Sequence, residues 1–153
     1  MSDKATAVDA WEALFRAQVT VMRQLQSEFP EGQLSLTEYD VLFNLARQPG
    51  RRLRIRDLGG HMLISQPSVS RMVDRLVGRE LVSKANDPDD ARGIIVELTE
   101  AGFGLFRRVA SSHMKSIAAR VGGSLDDDEL RELNRLCTKL RLGPGGVEEP
   151  AAS

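Results

Sequence analysis

The chain has a single cysteine, Cys137, among 153 residues, so no internal disulfide can form and a reducing compartment is expected, with the cytoplasm as the place of action. It lacks any run of eighteen apolar residues, which excludes a membrane-spanning helix. The opening MSDKATAVDA lacks the charged and apolar regions of a signal peptide. Aromatic residues are scarce: Trp11, Phe15, Phe29, Tyr39, Phe43, Phe103 and Phe106 are all there are, so the core must be built of Leu, Val, Ile, Met and Ala. Neither sign of charge dominates. With 21 basic and 22 acidic residues the net charge is −1, so any surface for a polyanion must be local. His61 and His113 are far apart and no spacing suits a metal site, so no metal or cofactor is expected. No internal repeat is present.

What is present is helical spacing broken by one pair of strands. From about Ala7, apolar residues at Val8, Trp11, Phe15, Val19 or Met22, Leu25 and Phe29 recur at intervals of three and four, the spacing of a helix. Pro30-Glu31-Gly32 ends it. Such a helix is long for a small globule and suggests contact with a partner. Met1 to Thr6 is expected to fray. Leu36-Thr37 opens a second helix with Thr37 as its cap, Asp40 at its third position, and Tyr39, Leu42, Phe43 and Ala46 buried. Arg51 to Arg54 forms a basic connector with room for a short strand near Leu53. A short helix over Ile55 to Leu63 turns Leu58 and Met62 inward. Gly59-Gly60 inside it costs on the order of 1 kcal/mol per glycine relative to alanine, which suggests tight packing against a neighbour.

Ser65 then caps a helix with Pro67 in its first turn, where a missing N–H does no harm. Val69, Met72, Val73 and Leu76 face inward and leave Gln66, Ser68, Ser70, Arg71, Asp74 and Arg75 outside. Two strands follow, Leu81 to Asn86 and Gly93 to Leu98, with Asp87-Pro88-Asp89-Asp90-Ala91-Arg92 as the loop. A two-stranded ribbon is marginal in water, so this hairpin must pack on the helices before it. Thr99 caps a long helix bearing Phe103, Phe106, Val109, Ala110, His113, Ile117 and Val121, which Gly122-Gly123 breaks. Ser124 caps a last helix with Leu130, Leu133, Leu136, Cys137 and Leu140 on one face, stopped by Gly143-Pro144. Val147 to Ser153 is expected to be mobile.

The fold class that follows is mainly α with a small β-hairpin: a winged helix-turn-helix lobe over 35–99, flanked by dimerisation helices over 7–30 and 100–142, with a tail over 143–153. The major groove of B-DNA admits one helix, and bases are read there by short or forked polar side chains. Gln66 and Ser68, in the first turn, stand at the end that reaches base edges in this motif. Ser70, Arg71 and Arg75 extend that face. Arg71 can fork onto guanine or hold a phosphate, and Arg54 and Arg56 can clamp phosphates. Arg92 at the hairpin tip can enter a narrow minor groove. Asp90 is expected to hold the Arg92 guanidinium in a bidentate pair, and Asp87 to close the turn through backbone N–H groups. Locally the charge agrees: from Arg51 to Arg92 there are nine basic residues against six acidic. Taken singly, a polar helix face or an Asp/Arg loop is usually just solvated surface; the combination is what is specific.

At this point the chain resembles the MarR family of transcriptional regulators over about Ala7 to Arg141. The motifs that carry the resemblance are LTEYDVL at Leu36 to Leu42, SQPSVSRMVDRL at Ser65 to Leu76, ELV at Glu80 to Val82, DPDDARG at Asp87 to Gly93 and VELTEAG at Val96 to Gly102. The family's wing pattern of two aspartates and an arginine falls on Asp87, Asp90 and Arg92. One departure is that the family often caps the short helix with Ser or Thr where this chain has Arg56. The resemblance implies a homodimer, interlocked through the first helix and the last two, on a pseudo-palindromic double-stranded operator.

It also implies a small-molecule effector, commonly an aromatic or other lipophilic acid. Trp11, Asp40, Lys84 and Arg71 are similar in placement to the ligand-coupling set of the family's urate-responsive branch, where an anion near Asp40 would disturb Arg71. Lys84 stands where that branch has arginine and so lacks its fork. His61 is a further candidate for lining an effector pocket. Plainer accounts are a helix N-terminal acid for Asp40, a dimer-core aromatic for Trp11 and a small core residue for Cys137. No catalytic residue is expected: Ser112 and Lys115 fit S-x-x-K without the partner motifs, and Gly102-Phe103-Gly104 lacks a third glycine. The expected function is a DNA-binding regulator, a repressor released by an effector. The alternatives are a winged-helix scaffold for protein partners and a ligand-independent regulator.

Overall fold

The computed structural model describes residues 3–62 and 64–146. The expected mobile tail over Val147 to Ser153, the start of the expected fray at Met1 and Ser2, and Leu63 lie outside them. Of the described residues, 3–29 with 112–146 form one compact unit and the remainder of 30–111 forms the other. The division falls inside the long fifth helix, whereas the sequence places the edge of the winged-helix lobe at its start.

In the first unit, helix α1 spans Lys4–Glu28, about 38 Å at about 1.5 Å per residue. It starts three residues earlier than the apolar spacing indicates, because its first turn is polar and carries no periodic signal. Leu25 and Phe29 are buried, and Phe29 meets the ring of His113 edge-on at 5.2 Å. Near the end of α1, Glu28 accepts hydrogen bonds from the guanidinium of Arg120, with Nε at 2.7 Å. The last helix, α6, spans Asp127–Leu142. Asp126, not Ser124, caps it, in a reciprocal capping box with Glu129. Gly143, at φ 70°, ends it in a conformation that favours glycine.

The second unit opens with α2, Leu36–Ala46. Its cap is Ser35 rather than Thr37: Ser35 Oγ accepts from the Glu38 N–H at 3.0 Å and Glu38 Oε1 accepts from the Ser35 N–H at 2.9 Å. That register moves Asp40 beyond the first turn, so the helix N-terminus no longer accounts for it. Tyr39, Val41, Leu42, Asn44 and Leu45 are buried, whereas Phe43 is 39% exposed. A 3₁₀ turn over Pro49–Arg51 leads into strand β1, Arg52–Arg54, and helix α3, Ile55–Gly60. Helix α4 is Gln66–Gly78, strand β2 Val82–Asp87, strand β3 Asp90–Leu98 and helix α5 Glu100–Arg120.

The strands form one antiparallel sheet in the order β1-β3-β2, with Leu53 opposite Val96 and Val82 opposite Leu98. The third strand, β1, joins the hairpin to the helices through the chain itself. Val41, Leu42 and Leu45 of α2, Leu58 of α3, Val69, Val73 and Leu76 of α4 and Val96 of β3 are completely buried and form the core. Between α4 and β2 the chain reverses at Glu80, φ 60°, with Leu81 N–H bonded to Leu76 O and Glu80 N–H to Val77 O, a Schellman closure. Thr99 caps α5 as its sequence suggests, accepting from the Gly102 N–H at 2.9 Å.

Candidate nucleic-acid interface

Helix α4 separates its faces cleanly. Val69, Met72, Val73 and Leu76 are buried, which leaves Gln66, Ser70, Arg71, Asp74 and Arg75 exposed and Ser68 half-buried. Pro67 sits in the first turn with no N–H to satisfy. Ser65 accepts from the Ser68 N–H at 3.4 Å, so the expected cap is present. Its hydroxyl donates to Ser68 Oγ at 2.9 Å, and Arg71 Nη2 donates to the same oxygen at 3.1 Å. Arg71 is thereby drawn back along the helix toward its N-terminal end. Gln66 behaves differently: its amide Nε2 donates to the Arg56 carbonyl of α3 at 3.2 Å.

The wing is tighter than the sequence suggests. Strands β2 and β3 meet at Asp87 opposite Asp90, leaving only Pro88 and Asp89 between them. Arg92 therefore lies on β3, exposed, and not in a six-residue loop. The expected bidentate pair of Asp90 with the Arg92 guanidinium is not formed. Asp90 Oδ1 accepts instead from the Arg92 backbone N–H at 3.0 Å, fixing the strand rather than aiming the side chain. Asp87 closes the turn as expected, accepting from the Asp89 N–H at 2.9 Å. It is also buried, and its other oxygen lies 2.6 Å from Arg54. A Cβ at Gly93 would come within 3.1 Å of the Asp87 Cβ, so the small residue after Arg92 makes room for this carboxylate.

Arg54 occupies the N-cap position of α3 but makes no capping bond, so the departure from Ser or Thr falls at Arg54 rather than Arg56. Its guanidinium is committed to the wing and is not free to clamp a phosphate. Arg56 remains 72% exposed, 3.8 Å from its neighbour Asp57. Arg54, Arg56 and Arg92, with Ile55, Ile94 and Asp90, line one cleft of about 340 Å³ between α3 and the wing. With Arg54 engaged by Asp87, the guanidinium groups of Arg56 and Arg92 against the Asp90 carboxylate leave this cleft positive.

Of the residues named for an effector, Asp40, His61 and Lys84 belong to this unit. Lys84 is paired to Asp74 of α4 at 2.5 Å, which ties β2 to the helix that carries Arg71. Asp40 is exposed on α2, and His61 is an exposed residue at the end of α3. Trp11 belongs to the other unit, 59% exposed and 5.9 Å from the ring of Phe15. Cys137 is exposed as well, contrary to a core role within the chain.

Within the lobe, aromatic residues of α2 and α5 form a cluster whose pairing the sequence does not announce. Tyr39 stacks on Phe106 at 5.4 Å and on Phe43 at 6.4 Å, and Phe103 stacks on Phe106 at 6.4 Å. Arg47 stands over Phe43 at 5.5 Å and Arg51 over Phe103 at 3.5 Å. Arg51 has a left-handed backbone, φ 54°, and also reaches Glu100 at 3.4 Å. Part of the basic connector is thus packed onto α5. Burial, and then the charge of Asp40, push the Tyr39 phenol above its ordinary value. The sequence signal was the spacing of Phe103 and Phe106 on one helix face, but not which residues of α2 they meet.

An exposed polar helix after a tight turn, beside a three-stranded wing, defines a winged helix-turn-helix protein. Residues 33–93 match the model described as the MarR family. The chain is similar to AbsC, a MarR-family transcriptional regulator of Streptomyces coelicolor, with 27% identity, TM-score 0.75, and coverage of 92% of this chain and 98% of that one. It shares the fold of Sco3205, a regulator of the same family and organism solved in complex with DNA: 23% identity, TM-score 0.78, and 99% and 97% coverage. It is also similar to BpsR of Bordetella bronchiseptica, whose DNA binding is regulated by 6-hydroxynicotinic acid: 25% identity, TM-score 0.75, and 87% and 98% coverage. The lobe thus matches the MarR-family model over residues 33–93, and the chain is similar in fold and sequence to DNA-binding transcriptional regulators of that family.

Proposed function

We propose that two copies of this chain bind a pseudo-palindromic operator and repress transcription in the cytoplasm. The observation that carries this is the pairing of an exposed α4 face, Ser68, Ser70, Arg71 and Arg75, with the arginine-lined cleft beside the wing. The helix face offers donors and acceptors to base edges. Arg92 and Arg56, the latter only loosely paired with Asp57, are exposed and can take phosphates on either side. Asp90 and Ser65 hold the backbone that presents these groups. Such a function requires no enzymatic chemistry.

The dimer reading rests on the helical unit. Val8, Trp11 and Phe15 share one face of α1 and are each about half exposed or more; Leu133, Leu136 and Leu140 share one face of α6, 40–66% exposed, on a helix where no residue is buried. A second copy covering these stripes would remove large apolar side chains from water, each worth roughly 1.5–3 kcal/mol when fully buried. Two recognition helices would then address half-sites about one helical turn apart.

Selection from random duplex DNA, with sedimentation velocity on the same protein, tests the proposal. A palindromic consensus bound by a dimer is expected. No enrichment of any sequence would favour a scaffold for protein partners. For the effector, the half-exposed Phe43 ring under Arg47 suits an aromatic anion. A thermal-shift series of aromatic carboxylates and purines, on the wild type, Arg47→Ala and Asp40→Asn, should show stabilisation that the Arg47 variant loses. No shift with any compound would favour a ligand-independent regulator.

A further inference from the structure

The two glycines of α3 have different surroundings. Nothing lies near a Cβ built at Gly60. A Cβ built at Gly59 would lie 2.1 Å from Gln66 Nε2 and 2.6 Å from Gln66 Cδ. Gly59 is buried, has no positive φ, and sits inside a helix, where glycine is unfavourable relative to alanine. Its backbone conformation therefore does not call for glycine; the amide of Gln66 lying flat against it does. That amide donates to the Arg56 carbonyl, so Gln66, the first residue of α4, is seated on α3 in the crook of the helix-turn-helix.

This seat conflicts with base reading. A glutamine that recognises adenine uses its N–H and its oxygen together, as a bidentate pair. Gln66 has given one of its two Nε2 hydrogens to α3, and its nitrogen and oxygen both lie against Gly59, so it could present its other N–H and its oxygen to a base only by leaving this seat. The bond from Arg71 to Ser68 at 3.1 Å uses one of five guanidinium N–H groups, so the exposed Arg71 and the hydroxyl hydrogen of the half-buried Ser68 remain available to a base. We propose that Gln66 is a positioning residue: it fixes the angle between α3 and α4, with Gly59 as its seat, while base preference comes from Ser68 and Arg71. This rests on the DNA-binding function proposed above.

The proposal also predicts what filling the seat does. The far end of the Gln66 side chain is flexible, so an alanine at Gly59 would evict it toward solvent, on the side that faces DNA. Gly59→Ala thus converts a positioning residue into a free amide beside the bases.

The test uses the duplex selected by the full-length wild type and its complete set of single-base variants. Gln66→Ala should lower affinity for every duplex by a similar factor, about 3- to 10-fold for one lost hydrogen bond, with the pattern of preference unchanged. Arg71→Ala should flatten preference at a defined base pair. Gly59→Ala should alter preference at one base pair, and Gly59→Ala/Gln66→Ala should restore the pattern of Gln66→Ala. In the DNA-free protein, the Gln66 side-chain amide signals in NMR should report a hydrogen-bonded N–H that Gly59→Ala abolishes. Gln66→Ala flattening preference at one base pair, or freely exchanging Gln66 amide protons in the free protein, would overturn the proposal. If the wild type selects no duplex at all, the DNA-binding function fails, while the NMR measurement still decides whether the seat exists.

Discussion

The carboxylate of Asp87, at the tip of the wing, lies 2.6 Å from the guanidinium of Arg54, at the start of α3. The Asp87 side chain is 4% exposed and that of Arg54 33%, so the two ends of this pair differ in access to water. The wing is held to the helix-turn-helix through this contact. Removing the arginine strands a buried carboxylate, whereas removing the carboxylate frees a guanidinium that can turn to solvent and costs the one turn bond from the Asp89 N–H. Arg54→Ala should therefore cost more, about 3–5 kcal/mol, than Asp87→Ala, about 1–3 kcal/mol. Urea unfolding at one fixed protein concentration measures both, since a dimer's stability depends on concentration. Equal costs below about 0.5 kcal/mol would mean that the pair contributes nothing.

Two glycines at the start of α5 should respond to alanine with opposite signs. A Cβ at Gly102 would lie 2.0 Å from the Leu81 carbonyl oxygen, a backbone atom that cannot move aside. Gly102→Ala should destabilise by about 1–3 kcal/mol through overpacking. At Gly104 the nearest atom is the end of Arg108 at 3.5 Å, an ordinary contact. Gly104→Ala should stabilise by up to about 1 kcal/mol, the difference in helix propensity. Thermal melts of the two variants check the contrast.

The pair of Glu28 with Arg120 gives the helical unit a dependence on acid. Hydrogen bonds from Arg120 hold the Glu28 carboxyl below its ordinary value of 4.5, outweighing the opposing effect of desolvation. A depressed carboxyl contributes stability above its unfolded pKa and loses it as pH falls through the folded value. The wild-type melting temperature should therefore drop more steeply below about pH 4.5 than that of Glu28→Gln. Both should run parallel near neutrality. Identical acid limbs would show that the pair contributes nothing there.

The elements themselves could be read from the chain because their signals are local. Apolar spacing located α1, α2, α4, α5 and α6, and Ser65, Pro67 and Thr99 marked their starts correctly. Where two capping residues compete within a few positions, the local signal is ambiguous. Ser35 and Asp126 won over Thr37 and Ser124 because each completes a box with a glutamate three residues on. The interface was harder, since side chains choose partners across the fold. Arg54, Lys84 and Gln66 all read as outward-facing polar residues, yet they bond to Asp87, Asp74 and the Arg56 carbonyl. Nothing in their own neighbourhoods in the sequence announces those partners. Arg56, Arg75 and Arg92 are exposed as the sequence suggests, although Arg92 lies on β3 and not in a loop.

The central claim is that this chain holds duplex DNA through arginines that the fold leaves exposed. Measuring affinity for the selected duplex from low to moderate salt tests it most directly. Arg56, Arg75 and Arg92 from each of two copies would displace condensed counterions, so log K should fall against log salt with a slope of about −5. Arg92→Ala should weaken binding broadly and reduce that slope by about 2. A slope near zero, unaltered by Arg92→Ala, would contradict the account.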